Sequence, residues 1–304
     1  MIAGTFAAMM TPWTASGELN LPAVRELTEF IIDKGACGLF PVSNVGGMIH
    51  MRPEEKRLMV QTVVDQARGR VPVFPGVSAS STRDAIALGQ MCAELKADGC
   101  VLSAPYYFPY PQSVVLDGLK AAVSGIPLPV AIYNIPKYAG EITPDSFETL
   151  MQLPNVCAVK DSSGSIANLL QLSAMRDRLR PDFSLLVGWE EMLLSALTLG
   201  AQGCMTASAG IFPEIMRDLY ESVRRGDMAH ALACQRLIGK ATPVFQQVFF
   251  PLGYQWAMEA RGIPMGLYAV TCDEAALAPQ REAITQAVRS TLDDYAALCR
   301  EGDA

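Results

Sequence analysis

The chain has 304 residues, half of them hydrophobic and 18% charged, with 24 basic against 31 acidic side chains and a net charge of −7. That composition excludes a disordered chain, and the lack of any basic run or arginine-aromatic interleaving argues against nucleic acid as a partner. The length suits one barrel-sized domain of about 250 residues with an appendage, and so few charges leave apolar surface to be buried between subunits.

In chain order, short apolar runs alternate with longer amphipathic segments. Residues 6–10 read as a first strand. The preceding stretch lacks the basic start of a signal peptide, and Thr11-Pro12 ends the run early. A helix over 21–34 follows, then a strand over 38–42 and a helix opening at Pro53-Glu54-Glu55. Strands at 71–74, 100–103, 129–133, 156–160, 183–187 and 203–206 precede helices at 82–96, 112–124, 144–151, 166–179, 190–199 and 213–224. Prolines 22, 53 and 144 sit where first helical turns tolerate them, and Asp, Ser or Thr precedes several helices as a cap.

Eight such units predict an α/β fold, a (β/α)8 TIM barrel over residues 1–225. A doubly wound open sheet is the rival, but no GxGxxG follows the first strand. Residues 226–304 lose the alternation. They predict a C-terminal helical extension (228–250, 252–261 and 280–300) that packs on the barrel or against neighbouring subunits. Nothing reaches the length of a membrane span. The eight cysteines, at 37, 92, 100, 157, 204, 234, 272 and 299, show no CxxC spacing and several lie in apolar runs. They read as reduced, buried thiols of a cytoplasmic protein. With His50 and His230 the sole histidines, a histidine metal cluster and a histidine-driven triad are both disfavoured, and no metal or organic cofactor is expected.

A barrel gathers its C-terminal strand ends at one mouth. Those ends are Thr11, Ser43-Asn44-Val45-Gly46-Gly47, Tyr106-Tyr107, Tyr133-Asn134, Lys160, Gly188-Trp189-Glu190-Glu191 and Thr206. Lys160 closes the run Val156-Cys157-Ala158-Val159 and precedes Asp161-Ser162-Ser163-Gly164. Burial there lowers a lysine pKa and frees the amine as a nucleophile, whereas a lysine that snorkels to solvent does neither. An amine, phenols that relay protons and small residues with free N–H groups suit imine formation with a 2-oxo acid.

Three segments, Ala104-Pro105-Tyr106-Tyr107, Tyr133-Asn134-Ile135-Pro136 and Lys160-Asp161-Ser162-Ser163-Gly164, resemble the dihydrodipicolinate synthase/N-acetylneuraminate lyase family. The specific signal is the YNIP tyrosine standing 27 residues before the VKDSSG lysine, and the resemblance spans nearly the whole chain. It implies class I aldolase barrels assembled as a homotetramer, a dimer of dimers. Lys160 would form the Schiff base, Tyr133 would transfer protons, and Tyr107 would complete a relay across the tight dimer interface. One of Tyr106 and Tyr107 can equally be an aromatic plug in its loop.

The chain departs from the family in three places. Where the family has a G-T-T-G-E-like segment, this chain has Ser43, Asn44 and Val45. Asn44 cannot relay a proton as a hydroxyl does, and Val45 offers only its backbone N–H to a pyruvate carboxylate. Where lysine-pathway synthases carry an arginine that pairs with the aldehyde's carboxylate, this chain has Tyr138. Gly188-Trp189-Glu190-Glu191-Met192 resembles the stretch of the neuraminate lyases whose acids hold a sugar tail; acids that favour a helix N-terminus are the plainer explanation.

The expectation is therefore a cofactor-free lyase. Lys160 would form an imine with pyruvate or another 2-oxo acid, for aldol cleavage, condensation or dehydration of a 2-keto-3-deoxy sugar-acid-like substrate. Lys160, Tyr133 and Tyr107 are the catalytic candidates. Ser43, Asn44, Val45, Tyr138, Gly188, Glu190 and Thr206 are the binding candidates. The partners are a 2-oxo acid and an aldehyde. The alternatives are a 4-hydroxy-tetrahydrodipicolinate synthase acting on aspartate semialdehyde, or a non-catalytic 2-oxo-acid-binding protein on the same fold.

Overall fold

A computed structural model of the chain describes residues 1–302. In chain order the elements are β1 (Gly4–Ala8), α1 (Leu21–Asp33), β2 (Gly38–Phe40), α2 (Pro53–Ala67), α3 (Thr82–Glu94), β3 (Cys100–Ser103) and α4 (Gln112–Gly125). Next come β4 (Val130–Asn134), α5 (Pro144–Met151), β5 (Val156–Asp161), α6 (Ile166–Leu179), β6 (Ser184–Val187), α7 (Leu193–Thr198) and β7 (Gly203–Thr206). The chain closes with α8 (Ser208–Ile211), α9 (Pro213–Arg225), α10 (Met228–Phe245), α11 (Leu252–Ala260) and α12 (Ala278–Gly302).

The seven strands form one parallel sheet in the order β2-β1-β7-β6-β5-β4-β3. Their near-continuous apolar character follows from burial on both faces, with helices outside and packed side chains within. The helices form where the patterns place them. In α1, Val24, Leu27 and Ile31 bury one face, and Asn20 Oδ1 caps the helix by accepting from Ala23 N at 3.2 Å. The prolines at 22, 53 and 144 all lie in first turns.

The strand expected at 71–74 is not formed, so among the described residues there are seven strands and not eight. Pro72 and Pro75 lack the N–H groups that a ladder needs. What remains are single parallel bridges, Leu39 to Val73 and Gly76 to Val101. Leu39 N donates to Pro72 O, Phe74 N to Leu39 O and Gly76 N to Pro41 O, while Val101 N donates to Pro75 O. This segment therefore bonds to both β2 and β3, the two edges of the sheet. It passes so close to the chain just beyond β2 that a Cβ on Gly76 would fall 2.2 Å from Val42 O. No side chain fits there.

Two helices also depart from expectation. The segment expected as one helix at 190–199 begins with a 3-10 turn, Glu190–Met192, before α7. The helix expected to reach residue 250 stops at Phe245, after Pro243 in its last turn, and the chain then bends back over the strand ends. One hydrophobic cluster runs from Phe6 through the sheet to Ile238, Trp256 and Val288, so the C-terminal helices share the core of the strands. Among the described residues no helix is long and apolar enough to cross a membrane.

Candidate active site

Sheet register places the two principal residues side by side. Tyr133 of β4 pairs with Lys160 of β5, and Asn134 pairs with Asp161 one residue on. The strand ends are tied by a buried carboxylate. Asp161 Oδ1 accepts from Asn134 Nδ2 at 2.8 Å and from Asn168 Nδ2 at 3.0 Å, while Oδ2 accepts from Ser163 Oγ at 2.7 Å. A buried charge with three donors is satisfied, and it fixes the direction in which the neighbouring Lys160 leaves the strand.

Lys160 is 3% exposed and points into a cavity of about 300 Å³ at the strand ends. Its Nζ lies 3.9 Å from the centroid of the Tyr133 ring and 4.8 Å from that of Phe40. Burial pulls its pKa down to about 7, against the opposing pull of Glu190 and Cys204. A substantial fraction of the amine is thus neutral at neutral pH. Burial pushes the Tyr133 phenol well up, so it stays protonated and can act as an acid.

Of the residues singled out from sequence, Asn44, Val45, Tyr138, Gly188, Glu190 and Thr206 line this cavity together with Lys160 and Tyr133. Ser43 does not. It is buried beneath the loop, its Oγ donating to Met9 O at 2.8 Å and accepting from Gly46 N at 3.0 Å, so it shapes the loop. Thr11 is also occupied, donating to Met51 Sδ. The N–H groups of Gly46 and Gly47 bond within the loop, to Ser43 Oγ and Asn44 O. Those of Asn44 and Val45 make no such bond among the described residues.

Tyr107 lies outside the cavity, 85% exposed, at a φ of 86° and edge-on to Phe108 at 4.8 Å. Tyr106 is half-buried against the core and is the plug of the pair. Tyr138 stacks on Phe250 at 5.6 Å, and Lys137, which also lines the cavity, holds its Nζ over the Tyr138 ring.

Glu190 is 6% exposed and its Oε1 accepts from the backbone N–H groups of Ala207 at 3.1 Å and Ser208 at 3.2 Å. One oxygen therefore anchors the turn after β7, a role that neither sugar binding nor a helix dipole anticipates. Burial, reinforced by the Glu191 carboxylate, raises its pKa to about 7.

Gly188 matters for its missing side chain. A Cβ there would fall 1.9 Å from Ser162 Oγ and 2.9 Å from Lys160 Cε. Ser162 itself escaped the sequence reading, as did the wall formed by Phe245, Phe250 and Tyr254. Phe249 and Phe250 fall within the helix expected over 228–250, and which surface they cover depends on the bend after α10.

Away from the cavity, Asp218, His230 and Cys234 offer ligand atoms within 4.8 Å of one another. The Asp218 carboxylate is already engaged by His230 Nε2 at 2.6 Å, Tyr295 OH at 3.3 Å and Arg225 at 3.6 Å. This is a hydrogen-bonded hub joining α9, α10 and α12, and the Arg225 cation beside the carboxylate disfavours a metal ion.

Comparison with known proteins agrees with the geometry. The sequence profile described as the Dihydrodipicolinate synthetase family matches residues 1–293. A 4-hydroxy-tetrahydrodipicolinate synthase of Pseudomonas aeruginosa is 29% identical over 272 residues, covering 88% of this chain and 91% of that protein. A probable 2-dehydro-3-deoxy-D-pentonate aldolase of Escherichia coli K12, YjhH, is 29% identical over 270 residues, covering 88% and 90%. Among solved structures, YagE of E. coli K12 in complex with pyruvate, described as a prophage protein of the dihydrodipicolinic acid synthase family, superposes with a TM-score of 0.89. It is 26% identical, and the match covers 96% of this chain and 99% of that one. With its strand-end lysine and phenol set in a matching fold over nearly its full length, the chain belongs to the Dihydrodipicolinate synthetase family of aldolase-type lyases.

Proposed function

We propose that Lys160 forms a Schiff base with pyruvate or another 2-oxo acid, and that the enzyme cleaves, condenses or dehydrates a 2-keto-3-deoxy sugar-acid-like substrate. The observation that carries this reading is the buried amine, with its pKa pulled down to about 7, facing a cavity beside the Tyr133 phenol. The neutral amine attacks the 2-oxo carbon, and loss of water yields an iminium. That cation is the electron sink for breaking or forming the bond beside it. The 2-oxo acid's carboxylate accepts from the free N–H groups of Asn44 and Val45. Tyr107, exposed beside Phe108, completes the site of a neighbouring chain in a homotetramer, a dimer of dimers.

Incubation with pyruvate and borohydride should add a pyruvate-derived mass to the peptide carrying Lys160. Wild-type protein left unlabelled at saturating pyruvate would instead support a binding protein.

The second fragment is an uncharged aldehyde. No arginine lines the cavity, and the Tyr138–Phe250 stack forms its outer wall. Aspartate semialdehyde should condense poorly with pyruvate, because its carboxylate would find no bidentate guanidinium, and the point charge of Lys137 is held over the Tyr138 ring. Tyr138→Arg should improve that reaction by about tenfold, since a charge-assisted bond contributes about 1.5–3 kcal/mol and the lost stacking offsets part of it. Efficient wild-type turnover of the semialdehyde would return the chain to the synthase reading. Dehydro-deoxy sugar acids, the substrate class in the name of the YjhH relative, are the first compounds to assay.

A further inference from the structure

Lys160 Nζ sits over the face of the Tyr133 ring, not at its hydroxyl. An adduct growing from that amine can therefore exchange protons with the phenol through a neighbouring hydroxyl. Asn44 and Val45 supply no hydroxyl, and Ser43 Oγ is held by Met9 O and Gly46 N. Thr206 Oγ1 is held by Cys204 Sγ and Ala209 N. Ser162 differs. Its Oγ lines the cavity, is shielded from solvent and makes no hydrogen bond of good geometry among the described residues.

Its backbone is clamped, with N donating to Asn134 O at 2.8 Å and O accepting from Trp189 Nε1 at 2.9 Å. The hydroxyl is thus aimed by fixed main chain. It faces the Lys160 Cε across Gly188, since a Cβ on that glycine would strike both, and it lies near enough to the Tyr133 phenol to temper that group's raised pKa. A buried hydroxyl without a partner costs free energy unless a ligand supplies one.

We propose that Ser162 is a catalytic residue that carries the proton between Tyr133 and the adduct on Lys160. This rests on the Schiff-base reading and adds a residue to it. The amine adds to the 2-oxo carbon, and transfer of a proton from nitrogen to oxygen gives a carbinolamine. Ser162 O–H then donates its proton to the carbinolamine hydroxyl as Tyr133 O–H passes its own proton to Ser162. The C–O bond breaks, water leaves, and the nitrogen lone pair closes the C=N bond. Tyr133 is left as a phenolate beside the iminium, and hydrolysis runs the same transfers backwards. No oxidant, reductant or further reactant is required.

The test uses full-length wild type, Ser162→Ala and Ser162→Thr with pyruvate alone, so no aldehyde need be known. Borohydride quenching at short times, with intact-mass detection, gives the rate of imine formation. Ser162→Ala should be roughly tenfold to a hundredfold slower, with the same final labelling and the same pyruvate concentration dependence. Ser162→Thr, which keeps the hydroxyl, should recover most of the rate. Mixtures of light and heavy water should give a curved rate dependence for wild type, with two protons in flight, and a linear one for Ser162→Ala. An alanine variant as fast as wild type, or a threonine variant as slow as a folded alanine variant, would overturn the relay. Wild type that never labels would instead sink the Schiff-base reading beneath it.

Discussion

Lys160→Met should abolish labelling by pyruvate and borohydride and lower turnover by about four orders of magnitude or more, the scale on which a covalent nucleophile is missed. It should also make the protein more stable. The folded-state pKa of Lys160 is lowered from 10.5 to about 7, so the fold resists protonating this amine. At high pH neither folded nor unfolded chain carries the charge and nothing is lost. As pH falls from 10.5 towards 7 the unfolded chain takes up the proton first, stability declines, and below about 7 the loss is complete. Each pKa unit corresponds to about 1.4 kcal/mol, so an isosteric apolar side chain should recover a few kcal/mol near neutrality.

Part of that gain is offset at Glu190, which loses the amine that favours its ionised form. Its own sign is the opposite. With its pKa raised from 4.5 to about 7, its contribution is intact in acid and declines as pH rises through that window. Thermal unfolding of wild type and Lys160→Met between about pH 7 and 10 should show the mutant melting higher at the neutral end. The two curves should converge at the alkaline end. Parallel curves would show that burial does not perturb this lysine. The labelling rate of wild type should rise through about pH 7 and level off above it, whereas an ordinary lysine would keep gaining towards pH 10.5.

Gly188→Ala should have the second-largest effect. A new methyl 1.9 Å from Ser162 Oγ and 2.9 Å from Lys160 Cε leaves two outcomes, a displaced hydroxyl and a displaced amine. The backbone of Gly188 is pinned by donation to Asp161 O at 2.8 Å, so the strand end cannot retreat. A shift of about 1 Å at the reacting centre costs roughly 10²-fold in rate, and the overpacking should cost about 1–3 kcal/mol. Rapid-quench labelling and thermal unfolding measure the two losses separately. A variant with the wild-type labelling rate would show that the amine has room that this packing denies.

Much of this molecule is legible in its one-dimensional pattern. Buried parallel strands read as short apolar runs because both faces are covered, and helices announce themselves by proline in the first turn and by capping side chains. Lys160 and Tyr133 are found the same way, since strand ends follow from strand boundaries and a parallel register sets the two residues side by side. The strand expected at 71–74 does not form because apolar content says nothing about donors, and Pro72 and Pro75 remove the N–H groups of a ladder. Glu190 was read by its charge. Its first obligation is to the backbone N–H groups of Ala207 and Ser208, which another strand end brings to it.

Sequence alone therefore determined the alternation of strands and helices and the placing of Lys160 and Tyr133 at strand ends, which depend on residue type and local periodicity. That Tyr138 stands where an arginine is expected comes from the family resemblance instead. Tertiary structure decided that the Ser162 hydroxyl is left without a hydrogen bond of good geometry, how deeply Lys160 is desolvated, and that Phe245, Phe250 and Tyr254 wall the cavity. Those are properties of groups brought together from distant parts of the chain. Desolvation and hydrogen-bond satisfaction are set by whatever atoms end up within a few ångströms, and no local pattern encodes that company.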